Sequence, residues 1–362
     1  MRTGLTNLPL HGGKAPYWLF EKMERLSREI MLFMSSEFGP DEFLNKIADP
    51  FWFQALGCVL GFDWHSSGVT TTVCGALKEA ARGLQNDLGY YIAGGKGGTS
   101  RKTPSEIENA SVKEGLDFKS LVYTSKIVAK VDSSALQDGY QLYHHSFFFR
   151  SDGRKWAVVQ QGMNEDLKYA RRYQWLSDTV ESFVSEPHNA ISCDLKNDVM
   201  NLVSDESASA RKMITDISAE KPQKNIADLL KISSSTDNNY TMPKRHDIRM
   251  TDIEVKRLSK IFESTYENKP ENFERLIAMP GVGPKTVRSL ALISELVYST
   301  PYSIKDPARF SFAHGGKDGI PFPVDRKTYN KSIDILHTAL KESKIDRNDK
   351  INAIKRLASF YG

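Results

Sequence analysis

The sequence predicts an α+β protein in two parts: an N-terminal mixed α/β domain that contains a β-hairpin, and an all-helical C-terminal domain. Three observations predict it. "YQLYHHSFFFR" and "KWAVVQQGM" are rich in aromatic and β-branched residues and are separated by the turn signal Ser151-Asp152-Gly153. Beyond residue 241 the apolar residues recur at helical spacing, apart from one loop at 299–323. Between them the composition turns polar, as in "SAEKPQKN" and "SSSTDNNYTMPKRH". The expected organisation is a mixed α/β domain over 1–200, a polar linker region over 201–240 and a helical domain over 241–362. At 362 residues two domains are the natural expectation.

In chain order, residues 15–39 carry a helical pattern, and 49–68 reads as a buried helix running into the polar turn "DWHSSG". A further helix is expected over 70–85. "LGYYIAGGKGGTSRKTPSEIENA" reads as a short strand, a glycine-rich loop and a helix opened by the capping pattern Thr103-Pro104-Ser105-Glu106. "DFKSLVYTSKIVAKVDSSAL" is helical, the hairpin follows, and "DLKYARRYQWLS" reads as a helix closing this half. Ser233 to Asn239 reads as linker, with helical turns possible around "IADLLKI". No internal repeat is present.

Composition describes a globular protein, with 40% hydrophobic and 26% charged residues. No apolar run reaches membrane-spanning length, and the first twenty residues lack the apolar core of a signal peptide. Three cysteines (Cys58, Cys74 and Cys193) with no CxxC spacing fit a reducing cytoplasm. The net charge of +4 is mild but uneven. Residues 241–362 hold 22 Lys/Arg against 15 Asp/Glu, a net +7, whereas the first 240 hold 27 against 30, a net −3. The positive excess lies where a phosphate-facing module would need it, although a solvated lysine-rich face gives the same count.

The most informative stretch is "LIAMPGVGPKTVRSLAL" at 276–292. Two glycines allow a tight backbone turn, and the restarting helix offers free N–H groups and a positive dipole end to an anion. The expected DNA contacts are Gly281, Val282, Gly283, Lys285, Thr286 and Arg288, positioning contacts that read no sequence. The bland alternative is a tight turn between two core helices. The stretch resembles the helix-hairpin-helix element of DNA repair and recombination proteins. "FPVDRKTYNKSIDIL" is similar to the continuation found in the DNA glycosylases of that superfamily. The resemblance implies that Lys285 is the lysine attacking the sugar C1′ and that Asp325 is its carboxylate partner. Such a lysine needs a depressed pKa, and the carboxylate supports charge developing at the sugar. Two departures weigh against this. Lys285 and Asp325 are 40 positions apart, wider than in that family, and "RKTYN" lacks its polar continuation. Lys285 as a plain phosphate contact, and Asp325 as a helix N-cap, therefore stay open.

The whole chain is also similar to a prokaryotic family catalogued as a domain of unknown function. "GLTNLPLHGGKAPYWLF", "FWFQALGCVLGFDWHSSGVTT", "GYYIAGGKGGTSRKTP", "YQLYHHSFFF" and "WAVVQQGMN" carry the resemblance. It implies no mechanism.

In the N-terminal half, Asp63 and His65 share one polar turn and are read either as site residues or as an N-cap turn. Lys96, Arg101 and Lys102 sit on a glycine-rich loop that does not fit G-x-x-x-x-G-K-S/T, and form either a phosphate cradle or a surface turn. His144 and His145 alternate on a strand, so they cannot share one metal, and His145 reads as a satisfied core histidine. Arg171 and Arg172, interleaved with Tyr169, Tyr173 and Trp175, suit nucleic acid or a half-buried helix face. No cofactor motif is present, and a metal-ligand set cannot be assembled.

The expected partner is double-stranded DNA, damaged or abasic, with no membrane. The apolar "SFFF" run also leaves room for a homo-oligomer. Three functions compete: a repair enzyme acting through Lys285 and Asp325, a nuclease with its site around Asp63, His65 and Lys96, and a non-catalytic DNA-binding accessory.

Overall fold

Two helical layers enclose a five-stranded antiparallel sheet. The computed structural model describes residues 16–62, 67–193, 195–234, 255–308 and 326–361. The chain opens with α1 (Tyr17–Phe38), α2 (Pro40–Ala48), α3 (Pro50–Val59), α4 (Gly68–Ala80) and the short α5 (Gln85–Leu88). It continues through β1 (Tyr90–Lys96), α6 (Thr103–Glu114), α7 (Lys119–Lys130), β2 (Leu136–Gln137), β3 (Gln141–Arg150), β4 (Trp156–Asn164), β5 (Tyr169–Leu176), β6 (Ala190–Ser192) and β7 (Met200–Asn201). The remainder is helical: α8 (Ala208–Ser218), α9 (Pro222–Ser234), α10 (Val255–Asn268), α11 (Phe273–Ala278), α12 (Pro284–Leu296), α13 (Arg326–Glu342) and α14 (Arg347–Tyr361).

The sheet order is β1-β3-β4-β5-β6, and β2 pairs separately with β7. Strand alternation divides the core in two. Tyr90, Phe148, Ala157, Val159 and Leu176 pack under α1–α4 together with α13 and α14. Ala93, Phe147, Phe149, Trp156, Val158 and Trp175 pack against α6–α12. Because both faces of the sheet are covered, even the polar residues of its strands, among them His145, Gln160, Arg171 and Arg172, are buried. The chain therefore adds its last two helices to the layer that its first four began.

Local signals explain several boundaries. Asp49 caps α3 by accepting from Phe51 N (2.8 Å) and Trp52 N (3.1 Å), with Pro50 in the first helical position. Gly39 ends α1 and caps the start of α2, with Pro40 in the first helical position, where its missing N–H would be unpaired anyway. The expected capping box at Thr103 does not form. Glu106 instead accepts from Gly94 N and Lys78 Nζ, each at 2.7 Å, tying α6 and α4 to β1.

Three expectations are corrected. Residues 169–176, read as a helix, form strand β5, in which Arg171 and Arg172 are fully buried. Neither nucleic-acid contact nor a half-buried helix face describes them, because internal partners hold both. Within the stretch read as polar linker, α8 and α9 bury Ala210, Ile214, Ile217, Leu229 and Ile232. Lys212, Asp216, Gln223, Lys224 and Lys231 lie on their exposed faces, while Arg211, Thr215, Ser218, Asn225 and Asp228 are buried with the apolar stripe; 235–240 lie outside the described residues. Phe147, Phe148 and Phe149, considered for an oligomer interface, are 0% exposed within the single chain.

Candidate functional site

The hairpin at 279–284 rests on the rest of the chain through named contacts. Gly281 takes φ +84°, the left-handed region that glycine adopts without strain, and is exposed. Val282 turns inward and is fully buried with Val287 and Leu290. Its carbonyl accepts from Lys130 Nζ at the end of α7. Gln137 on β2 donates to the Pro284 carbonyl (2.8 Å) and accepts from Arg288 Nε (2.8 Å). α12 starts at Gly283-Pro284 with no side-chain cap, and Lys285 lies exposed on its first turn.

Of the residues read as DNA contacts here, Gly281 and Lys285 face solvent and Gly283 is half-buried. The side chains of Val282 and Thr286 do not: both are buried in the seat of the turn, so only their backbone remains for a ligand. Arg288 is half-buried against Gln137. Asp325, Asp63 and His65 lie outside the described residues.

The glycine-rich loop forms a 3₁₀ turn over Gly97–Lys102, with Lys96, Arg101 and Lys102 exposed. The Lys96 ammonium sits 5.8 Å from the centre of the Tyr143 ring. Arg171 and Arg172, by contrast, cannot reach a phosphate. Arg171 bonds Asp138 (3.0 Å) and Asp306 (2.7 Å), and its guanidinium lies 4.6 Å from the centre of the Tyr140 ring. Arg172 reaches Gln54 (3.2 Å) and covers the Phe53 ring at 4.5 Å.

Beside the hairpin lies a cavity of about 440 Å³ between the 3₁₀ turn, α7, β3 and the end of α11. Arg101 and Lys126 are its exposed lining residues, Lys130 is half-buried, and Ser125, His144, His145 and Gln160 are buried. Among the described residues no carboxylate lines it. Burial lowers the Lys130 ammonium below the ordinary lysine value.

The buried wall of this cavity is one hydrogen-bonded chain. Ser125 Oγ lies 3.0 Å from His145 Nε2, and His145 Nδ1 lies 2.8 Å from Gln160 Oε1. Gln160 Nε2 donates to the Val128 carbonyl (3.3 Å) and to Asp132 Oδ2 (2.5 Å). Asp132 also accepts from Trp175 Nε1 (3.0 Å), and its other oxygen meets His188 Nε2 (2.5 Å). This fixes the proton positions. The Gln160 amide must turn its NH₂ toward Asp132 and its oxygen toward His145, so His145 carries its proton on Nδ1. Nε2 is then the acceptor, and Ser125 donates to it. Burial pushes His145 below the ordinary histidine value against the opposing pull of Gln160 and Asp132. His144, on the other face of β3, bonds Ser146 (3.0 Å) and is pushed down to about 3, chiefly by burial, with neighbouring His145 and Lys96 adding to the shift.

His145 is thus satisfied at both nitrogens, as its sequence context suggested, but one partner is a serine on a cavity wall. Sequence reasoning passed over Ser125, Asp132, Gln160 and His188. The available signal was polar residues inside apolar runs, Gln160-Gln161 in "AVVQQGM" and Asp132 in "KIVAKVDSSAL". Asp132 sits in a π-helical turn, Val131–Ala135, that follows α7. Such turns occur often at functional sites. Among the described residues no group of three or more His, Cys, Asp or Glu is placed to hold a metal ion. No helix among them is long and apolar enough to cross a membrane.

A family model described as "Protein of unknown function (DUF763)" matches residues 4–324. No curated protein and no solved structure matches the chain.

Proposed function

The chain belongs to the DUF763 family, and from its geometry we propose that it binds duplex DNA through the 279–285 hairpin and acts on the backbone at the adjoining cavity. One observation carries the reading. An exposed, uncapped helix start bearing Lys285 is fastened by Lys130 and Val282 to a cavity whose charged lining is entirely basic. Helix starts and clustered cations both favour phosphate, and neither reads bases. The binding is therefore expected to be sequence-independent.

Among catalytic versions, the placement favours a site in the N-terminal part over a covalent role for Lys285. A lysine nucleophile works from a desolvated pocket, and the Lys285 side chain is exposed. The cavity beside the hairpin holds Lys126 and Lys130 instead. Lys285 is accordingly a phosphate contact in this reading, and a repair lyase built on Lys285 and Asp325 is the second choice.

The test is fluorescence anisotropy of a labelled duplex over a salt series, comparing wild type with Lys285→Ala. Wild type is expected to bind with a dissociation constant of about 10⁻⁴–10⁻⁶ M that weakens steeply with salt. Lys285→Ala should weaken binding to all sequences alike and lower the log–log salt slope by about 1. Equal slopes for the two proteins, or no binding at low salt, would remove the hairpin from the reading.

A further inference from the structure

We propose that Ser125 is the nucleophile of a phosphodiester-cleaving site, with His145 as its general base and Gln160 and Asp132 as positioning residues. The assignment rests on the reading of this protein as one that acts on the DNA backbone, and adds the residues that perform the step.

The geometry that carries it is the ordered chain from the cavity inward. The Ser125 hydroxyl donates to His145 Nε2 at 3.0 Å, and the tautomer of that ring is fixed from behind by Gln160 and Asp132. A serine becomes a nucleophile when an adjacent base accepts its proton and a third group orients the base. Here the orienting group is an amide oxygen, itself oriented by a fully buried carboxylate that three donors hold. All three members of the reacting end (Ser125, His145 and Gln160) line the same cavity.

The surroundings select the substrate class. Acyl transfer calls for two or more preorganised donors aimed at one oxyanion, commonly backbone N–H groups, whereas phosphoryl transfer calls for Arg and Lys around several equatorial oxygens. Ser125 lies within a regular helix, where backbone N–H groups are engaged in the helix ladder. What the cavity offers is Arg101, Lys126 and Lys130. That is a phosphate environment.

The step balances without a further reagent. Ser125 Oγ attacks phosphorus and its proton passes to His145 Nε2. The P–O bond to the leaving sugar oxygen breaks, and the imidazolium returns the proton to that oxygen, leaving a phosphoseryl ester and an alcohol. Water then attacks the same phosphorus with its proton going to His145, the Ser125–phosphorus bond breaks, and the proton returns to Ser125. The net reaction is phosphodiester plus water to phosphomonoester plus alcohol.

The experiment uses the full chain, without DNA, treated with a fluorophosphonate. Attack by an activated serine on this phosphorus electrophile expels fluoride and leaves a stable adduct, read by intact mass and peptide mapping. The adduct is expected on Ser125, absent in Ser125→Ala, and formed at least about 100-fold more slowly in His145→Gln. In wild type, the labelling rate should rise with pH and level off with a midpoint below 6.5, because burial holds the histidine down. No adduct in wild type, an adduct that survives Ser125→Ala, or a rate that climbs without a plateau would overturn the nucleophile; the pH profile does so without requiring that the histidine variant fold. Hydrolysis of bis(4-nitrophenyl) phosphate, lost in Ser125→Ala, is the expected companion result. Labelling without that turnover would overturn the phosphodiester assignment. Because labelling involves no DNA, its failure is separable from failure of the binding isotherms that test the hairpin.

Discussion

Gly94→Ala is expected to cost at least about 3 kcal/mol of folding stability, and the structure supplies each contribution. Gly94 holds φ +87°, where an L side chain is strained by roughly 1–2 kcal/mol. A Cβ built there would meet the His145 carbonyl oxygen at 2.1 Å and Thr103 Oγ1 at 2.5 Å. The hydroxyl can swing away, but the carbonyl belongs to strand β3 in register with β1, so the backbone itself must shift. Overpacking of that kind costs about 1–3 kcal/mol. The shift also disturbs two charge-assisted bonds, Gly94 N–H to Glu106 and Lys78 to the Gly94 carbonyl, each 2.7 Å, worth about 1.5–3 kcal/mol each when intact. Taking low values, counting one of these bonds, and subtracting about 0.5 kcal/mol for the reduced freedom of the unfolded chain leaves roughly 3 kcal/mol. The assay is urea unfolding, with Gly98→Ala as control. Gly98 has open space around its Cβ position and no left-handed backbone, and should stay within about 0.5 kcal/mol of wild type. A Gly94→Ala protein within about 1 kcal/mol of wild type would show that β1 does not press on His145 as described, and would weaken the argument that this histidine is rigidly placed.

Two further outcomes follow from buried charge. His144 is held at about 3 against an ordinary 6.5, so the unfolded chain binds its proton first as pH falls. Stability is therefore full above about 6.5 and is lost toward pH 3, by about 5 kcal/mol over the whole window. Urea unfolding at several pH values should show a shallower acid loss in His144→Gln, and equal slopes would refute the shift. Arg171→Ala should cost about 3–5 kcal/mol by leaving Asp138 and Asp306 buried without their partner, while the folded fraction keeps its duplex affinity. Lost affinity with unchanged stability would return Arg171 to the surface role that its sequence context suggested.

What could be read from the sequence was what is local. The β3–β4 hairpin announced itself through Ser151-Asp152-Gly153, and the 279–284 turn through two glycines and two prolines. Strand β5 is not legible as a strand because Arg171 and Arg172 among aromatics suit a half-buried helix face or nucleic acid, and only tertiary structure supplies Asp138, Asp306 and Gln54 to absorb them. The helices α8 and α9 were hidden for a related reason, since Arg211, Thr215, Ser218, Asn225 and Asp228 share the buried faces with Ile214, Ile217 and Leu229 and keep the composition average polar. The cavity network could be read only as separate polar residues in apolar runs, not as a network. Ser125, Asp132, His145, Gln160 and His188 are scattered over more than sixty positions, and what joins His145 to Gln160 is their direct pairing in the β3–β4 register. A single sequence shows each as an isolated polar residue, for which a satisfied core group is the sounder reading.

The arrangement of α7 gives the proposed activity its economy. One helix carries Ser125 and Lys126 in its middle and Lys130 at its end, and it runs into the π turn that supplies Asp132. Lys130 fastens the hairpin through Val282, while Ser125 faces His145 less than two turns earlier. A phosphate held at the start of α12 and a reacting phosphate at Ser125 would thus be positioned by the same rigid element rather than by two domains joined through a linker. That matters because orientation is lost when the groups that bind and the groups that react move independently. The hydrophobic cluster beneath this face joins residues from Ala93 to Tyr302, so α11 and α12 share their core with α7 and the sheet. Hairpin and cavity are held by one packed layer, and a backbone contact at the first fixes the distance to the second.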